Sequence, residues 1–464
     1  MRVLVAIAHH GFKNRPHLLR MLETFAEMTH DVDVVVVCEE PKDLPPHVEQ
    51  VVGLPTSDPW SLPFAHRPIF VERADDYDLF VYSEDDTLIE QRHLDTFVEL
   101  QGHLPDDVIT GFMRFEEYPD GKRSYCTVHS HYRWLPNSAQ VVDGLTFARF
   151  TNEHAACYAL TQEQLRRAIA SGGFLVEPHA GRYDMLVSAA TDVYTRCGMT
   201  KYFCVDMIED HLVHHMPNVY LGKLGVGEEV FQSQLRALRS LADQGTNHRA
   251  VELFSPETRT PDAFWDRHSF ASLPTPLLTS LTGSSRRILN VGATTGDLEV
   301  ALQHLGHEVS SVPMDAVFRH VLESRDINTL PMSIPDAAST DARFDHVLMI
   351  DVLPYLEEPV TALRSLRHLL TADGRILASV PDHRRYHARN LMRRQGRVSV
   401  PRAFARDGIH FTSPPVLRRW MDDAGLQVQH MRHRRATRRD PIGSDGWMSR
   451  PIGNVLLAVA TPRA

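Results

Sequence analysis

The sequence predicts an α/β protein made of two domains, and three observations carry that expectation. Short apolar runs alternate with amphipathic helical stretches from the first residues to about residue 225. The periodicity weakens over 226–262, and a fresh alternation of the same kind begins near residue 287. The length of 464 residues also exceeds what one hydrophobic core ordinarily serves. The expected organisation is a first domain over 1–225, a helical linker over 226–262 and a second domain over 263–464.

The elements follow in order. Val3–Ala8 reads as the opening strand rather than a signal peptide, because His9 and His10 cut the apolar run short. Pro16–Met28 is a helix with proline near its start. Asp33–Cys38, with four consecutive valines, is a buried parallel-type strand. Leu79–Ser83 is the next clear strand, and Ala155–Leu160 another. A helix opens at Thr161 with Gln164 at capping-box spacing. Tyr183–Arg196 is helical and stops near Gly198, and Lys201–Val205 is a strand. A helix over Glu228–Ala242 lies in the linker, ahead of Pro256 and Pro261. The second domain reads as strand Arg287–Val291, a helix from Asp297, strands Glu308–Val312 and His346–Ile350, helix Pro359–Leu370 and strand Arg375–Val380. Strands separated by helices of this length imply right-handed crossovers and a parallel sheet.

Hydrophobic residues at 43% and charged residues at 23% are those of a globular protein, and no apolar run is long enough to cross a bilayer. Five scattered cysteines, none in a Cys-x-x-Cys pair, argue against a disulfide framework and point to a reducing cytoplasm. The net charge of −10 hides a crowd of arginines between Arg384 and Arg439. They form either a solvated basic face or a docking surface for an anionic substrate. No nucleic-acid motif accompanies them, so no nucleic-acid partner is expected.

Leu79-Phe-Val-Tyr-Ser runs straight into Glu84, Asp85 and Asp86. Three adjacent carboxylates repel one another and gain nothing from a core, so they suggest a bound cation. Further on, Asp210-His-Leu-Val-His-His-Met places His214 and His215 together. The acid triplet at a strand tip and the late histidine pair resemble GT-A-type glycosyltransferases, which have a Rossmann-like fold. The resemblance implies Mn2+ or Mg2+ held by Asp86 with His214 or His215. It also implies a nucleotide-sugar donor, contacted by Glu84 and Asp85 and, over the first strands, by His9, His10, Glu39 and Arg67. A catalytic base would be Asp184, with Glu209 and Asp210 as rivals.

Arg287-Ile-Leu-Asn-Val-Gly-Ala-Thr-Thr-Gly-Asp needs glycines for a tight strand-to-helix turn. With Phe344–Pro359, Gly374–Pro381 and His410-Phe-Thr, it resembles class I S-adenosylmethionine-dependent methyltransferases. The resemblance implies a second Rossmann-like domain whose cofactor lies against Gly292, Thr294, Gly296, Asp315 and Asp351. His410 or His383 would be the base. Thr294 replaces a usual glycine, Asn290 a usual acid, and Asp315 comes two residues late behind Pro313. Losing a ribose carboxylate would remove a charged hydrogen bond of about 1.5–3 kcal/mol.

The function expected is a bifunctional enzyme that transfers a sugar to a glycan or small-molecule acceptor and O-methylates the product. Two alternatives stand beside it. In one the second domain is a non-catalytic adaptor; in the other a working methyltransferase carries a first domain that only binds a sugar nucleotide or glycan.

Overall fold

A computed structural model describes residues 1–125, 132–222, 224–245, 250–260, 266–267, 281, 286–383, 404–434 and 455–463. The chain divides into two units, Met1–Glu228 with Leu238–Asn247, and Glu229–Ala237 with His248–Ala464. The second unit thus takes in residues that the sequence assigns to a linker. Among the described residues no helix is long and apolar enough to cross a membrane. Cys38, Cys157, Cys197 and Cys204 are free and buried; Cys126 lies outside the described residues.

In chain order the first unit begins with β1 (Arg2–His9), α1 (Arg15–Ala26), β2 (Asp31–Cys38), β3 (Glu49–Val52), α2 (His66–Glu72), β4 (Leu79–Glu84) and β5 (Thr87–Leu88). It continues with β6 (Met113–Glu117), β7 (Arg123–Tyr125), β8 (Cys157–Thr161), α3 (Gln162–Ala170), α4 (Met185–Thr195), β9 (Leu212–His215) and β10 (Val226–Gly227). The main sheet has the order β8-β4-β1-β2-β3. Its strands are parallel except β8, which runs antiparallel to β4. Residues 3–7 of β1 and 79–82 of β4 are wholly buried, as expected for central strands covered on both faces. Thr161 and Gln164 close the expected capping box at the head of α3.

Two further sheets are not expected from the sequence, apart from one strand, Thr200–Cys204, which the sequence places at Lys201–Val205. One has the order β10-β7-β6-β9-β5. The other joins Val108–Thr110, Thr200–Cys204, Leu145–Ala148 and Gln140–Val142. Their strands span two to five residues, too short for a period-two pattern to stand out.

A helix, α5 (Glu228–Asp243), precedes the second sheet system. The second unit then carries β11 (Arg287–Ala293), α6 (Asp297–His304), β12 (Glu308–Pro313), α7 (Ala316–Glu323), β13 (Asn328–Thr329) and β14 (Phe344–Ile350). It ends with α8 (Pro359–Arg367), β15 (Leu370–Pro381), α9 (Pro414–Asp423), β16 (Leu426–Arg434) and β17 (Val455–Pro462). The seven strands take the order β13-β12-β11-β14-β15-β17-β16. β17 is antiparallel to both its neighbours and the other pairings are parallel. The order reverses between β11 and β14, so their carboxyl ends border the crevice where open α/β sheets bind ligands. Helix α8 stops three residues before the expected Leu370, which instead opens β15.

Candidate functional sites

In the first unit Ala8 pairs with Glu84, so parallel register brings the acid triplet level with the end of β1. His9, 1% exposed, meets Asp85 at 2.5 Å between Nδ1 and Oδ2. The Asn14 side-chain amide donates to Asp85 Oδ1 at 2.7 Å and to Asp86 Oδ2 at 3.2 Å. Asp85 is therefore held from two sides and positions its neighbour.

His215 Nε2 stands 3.6 Å from Asp86 Oδ2, while its Nδ1 meets Glu116 Oε1 at 2.6 Å. The Glu116 carboxylate at Nδ1 fixes the ring so that Nε2 faces Asp86. His214 departs from the expectation. Alternation along β9 turns it to the other face, where it stacks on Phe115 and contacts Asn218. Among the described residues no group of three His, Cys, Asp or Glu is arranged to hold a metal ion. Asp86 and His215 remain as two donors side by side. Asn14 and Glu116 were missed by the sequence reading. Glu116 lies 99 residues from His215, beyond the reach of any local signal.

The electrostatics set the three acids apart. Burial pushes Glu84 up to about 8, with the charge of Asp86 adding to it and Arg114 opposing. Its Oε1 is enclosed without a hydrogen-bond partner. Burial would raise Asp86 too, but the hydrogen bond and charge of His215 hold it below the ordinary carboxylate range. Asp184 caps α4 by accepting from Val187 N, and burial raises it against that bond. Its charge adds to the upward push on Glu84.

Glu39 accepts from Gly11 N at 2.9 Å and from Lys42 Nζ at 2.6 Å. Nearby lies a cleft of about 180 Å³ lined by His9, Phe12, Arg15, Lys42, Asp43 and Leu44. Lys42 lies over the largely exposed Phe12 ring at 4.3 Å.

Two other expected residues are placed elsewhere. Arg67 cannot reach a phosphate: it is 2% exposed and held by Asp192 at 2.9 Å and by the carbonyls of Phe174 and Ala189. Asp210 pairs with Arg92 at the surface, in a short 3-10 turn.

In the second unit β11 turns into α6 through Gly292 and Gly296, both with positive φ, at +78° and +84°. A side chain at Gly292 would be strained and would meet Val352 at 2.7 Å, so glycine is required for conformation and packing together. Thr294 lies in the turn between them. Asn290, in place of the usual acid, donates to Glu299 Oε1 at 2.6 Å, and Ser311 donates to the same oxygen. The Glu299 carboxyl of α6 thus lies against β11 and β12.

Burial raises the Glu299 carboxyl, with its hydrogen bonds to Asn290 and Ser311 opposing. A raised carboxyl means the folded state holds a proton that the unfolded state has lost. Stability is full below the unfolded value near 4.5 and falls as pH rises through the folded one. Glu299→Gln is expected to flatten that fall in pH-dependent denaturant unfolding. Glu299→Ala should cost about 1–3 kcal/mol by stranding two buried donors. An unchanged pH slope in the glutamine variant would refute this account.

Asp315 is not free to grip a ribose. It is fully buried and caps α7, accepting from the amides of Val317 and Phe318. Asp351, at φ +52°, accepts from Ser379 Oγ. His410 Nε2 faces the Glu357 carbonyl at 3.1 Å, so that nitrogen carries the proton and is no base. His383 is buried against Thr412. Most of the arginine crowd, Arg384 to Arg394 and Arg435 to Arg439, lies outside the described residues.

Residues 249–431 match the family described as a methyltransferase domain, and the second unit carries that domain. No curated protein matches the chain. Among solved structures, one similar to it is a Thermotoga maritima methyltransferase described as a possible histamine N-methyltransferase. Identity is 17% over 40% of this chain and 86% of that one, with a TM-score of 0.30. Another is the Burkholderia thailandensis 1,6-didemethyltoxoflavin-N1-methyltransferase, at 18% over 41% and 76%, with a TM-score of 0.29. A third is the Synechocystis magnesium protoporphyrin IX methyltransferase, at 14% over 40% and 78%, also with a TM-score of 0.29.

Proposed function

We propose that the chain is a two-part transferase. Its first unit moves a sugar from a nucleotide-sugar donor to a glycan or small-molecule acceptor. Its second unit O-methylates, with S-adenosylmethionine as methyl donor.

For the first unit the carrying observation is the pair Asp86 and His215 Nε2 at the carboxyl end of β4, with His215 oriented by Glu116. Two protein donors suit a divalent cation that keeps its other positions for a diphosphate. Such a cation, Mn2+ or Mg2+, would neutralise charge on the leaving nucleoside diphosphate. Asp85, held by His9 and Asn14, keeps Asp86 in place. The cleft beside Phe12 and Lys42 offers the nucleoside a ring and a cation. Asp184, raised by burial, is suited to take the acceptor hydroxyl proton.

Calorimetric titration with UDP and with GDP tests this reading. Binding of one of them is expected to need Mn2+. Failure of both to bind with Mn2+ present would remove the donor site.

For the second unit the support is the methyltransferase domain match and the glycine turn at the strand-order reversal. The turn suits the cofactor, which when bound supplies an electrophilic methyl group. As folded, however, the crevice is filled by the protein's own side chains.

A further inference from the structure

The crevice between the carboxyl ends of β11 and β14 holds a cation of the chain's own. Arg267, 7% exposed, directs its guanidinium onto the strand-end carbonyls. Nε donates to Asp351 O at 3.0 Å, and Nη2 donates to Ile350 O at 3.1 Å and Gly292 O at 3.2 Å. Nη1 reaches Met314 Sδ at 3.6 Å, just past the end of β12. Three strands thus contribute to one guanidinium at the point where an open α/β sheet takes its ligand.

The residues before Arg267 complete the cover. The Phe254 ring lies so close to Gly292 that an added Cβ would meet it at 3.1 Å, and the guanidinium sits 5.4 Å from that ring. Tyr355 stacks on the same ring, with centroids 6.1 Å apart. Leu253 N donates to Met314 O, and Glu252 bridges to Asp315, so this strap pairs beside the end of β12. Arg267 N donates to Pro256 O, which ties the arginine to the same strap.

Backbone carbonyls are acceptors only, so this ring of oxygens selects a cation. S-adenosylmethionine brings two, a sulfonium and an ammonium. A ligand ammonium and the guanidinium cannot share the same three oxygens: they would overlap, and in a dry crevice like charges repel strongly. Phe254 would also stand in the way of a ligand lying against Gly292.

We propose that the strap Glu252–Thr260 together with Arg267 is a built-in plug of the cofactor crevice, and that S-adenosylmethionine or its demethylated product binds only molecules in which Arg267 has withdrawn. This rests on the reading of the second unit as a methyltransferase using that cofactor. Apparent affinity is then the intrinsic affinity reduced by the open fraction. A plug closed nine times in ten weakens binding about tenfold.

The test is calorimetric titration of the full chain with S-adenosylhomocysteine, comparing wild type with Arg267→Ala. Arg267→Met, which keeps the apolar stem and removes the donors, serves if alanine unfolds the unit. The variant is expected to bind about tenfold tighter or more. In wild type, saturating ligand is expected to speed amide exchange at Leu253 and at Arg267, whose hydrogen bonds tie the strap down. Equal or weaker binding by a folded variant, or slower exchange at those amides, overturns the plug and leaves the cofactor reading intact. No binding by wild type and both variants overturns the plug and the cofactor reading together.

Discussion

Asp86→Ala is expected to lower Mn2+-dependent turnover of the nucleotide-sugar by about 10³-fold, the scale on which removing one electrostatic stabiliser of a leaving group acts. The carboxylate is the group that His215 keeps ionised against the opposing effect of burial. Glu116→Gln should weaken metal affinity by about 10–100-fold, because it loosens the imidazole without removing a donor. His214→Ala should leave metal affinity near wild type, since that ring stacks on Phe115 and faces away. The three variants are compared by Mn2+ titration in the presence of UDP or GDP and by donor hydrolysis. A His214 variant that loses as much as Asp86→Ala would disprove the assignment of the two histidines.

Arg67→Met is expected to destabilise the first unit by about 3–5 kcal/mol, because it leaves Asp192 buried and without its cation. Both side chains are 2% exposed, and Nη1 and Nη2 of the guanidinium also donate to the Phe174, Ala189 and Ser188 carbonyls. His179, at 3.0 Å from Asp192, recovers part of the loss when protonated. A double variant, Arg67→Met with Asp192→Leu, should be less damaged than the single one, since apolar replacement of both partners strands no charge. Denaturant unfolding followed by amide exchange on α4 reads the first unit separately from the second. A single variant within about 1 kcal/mol of wild type would mean that the pair carries no such stake.

Legibility from sequence followed the range of each signal. The valine run of β2 and the apolar run of β4 declare buried strands within a handful of residues, and both are found. Thr161 with Gln164, and the glycines at 292 and 296, are equally local and equally visible. The short strands β5, β9 and β10 carry no pattern of their own and exist because neighbours pair with them. Arg67 shows how a charge misleads: beside an acidic strand an arginine suggests phosphate, yet its partner Asp192 lies 125 residues away on α4. Asp315 misleads in the same way, because an acid near a strand end serves equally well as a helix cap.

By itself the sequence determined that the chain is α/β in two parts, that three acids stand at the end of one strand and that a glycine turn follows another. These are properties of period and spacing, which backbone geometry converts into structure over a few residues. Only the tertiary structure decided that His215 and not His214 faces Asp86, that Asn290 meets the buried Glu299, and that Arg267 fills the crevice beyond Gly292. Each of those depends on where a side chain points after distant elements pack, and packing, unlike periodicity, is not written in any short stretch of chain.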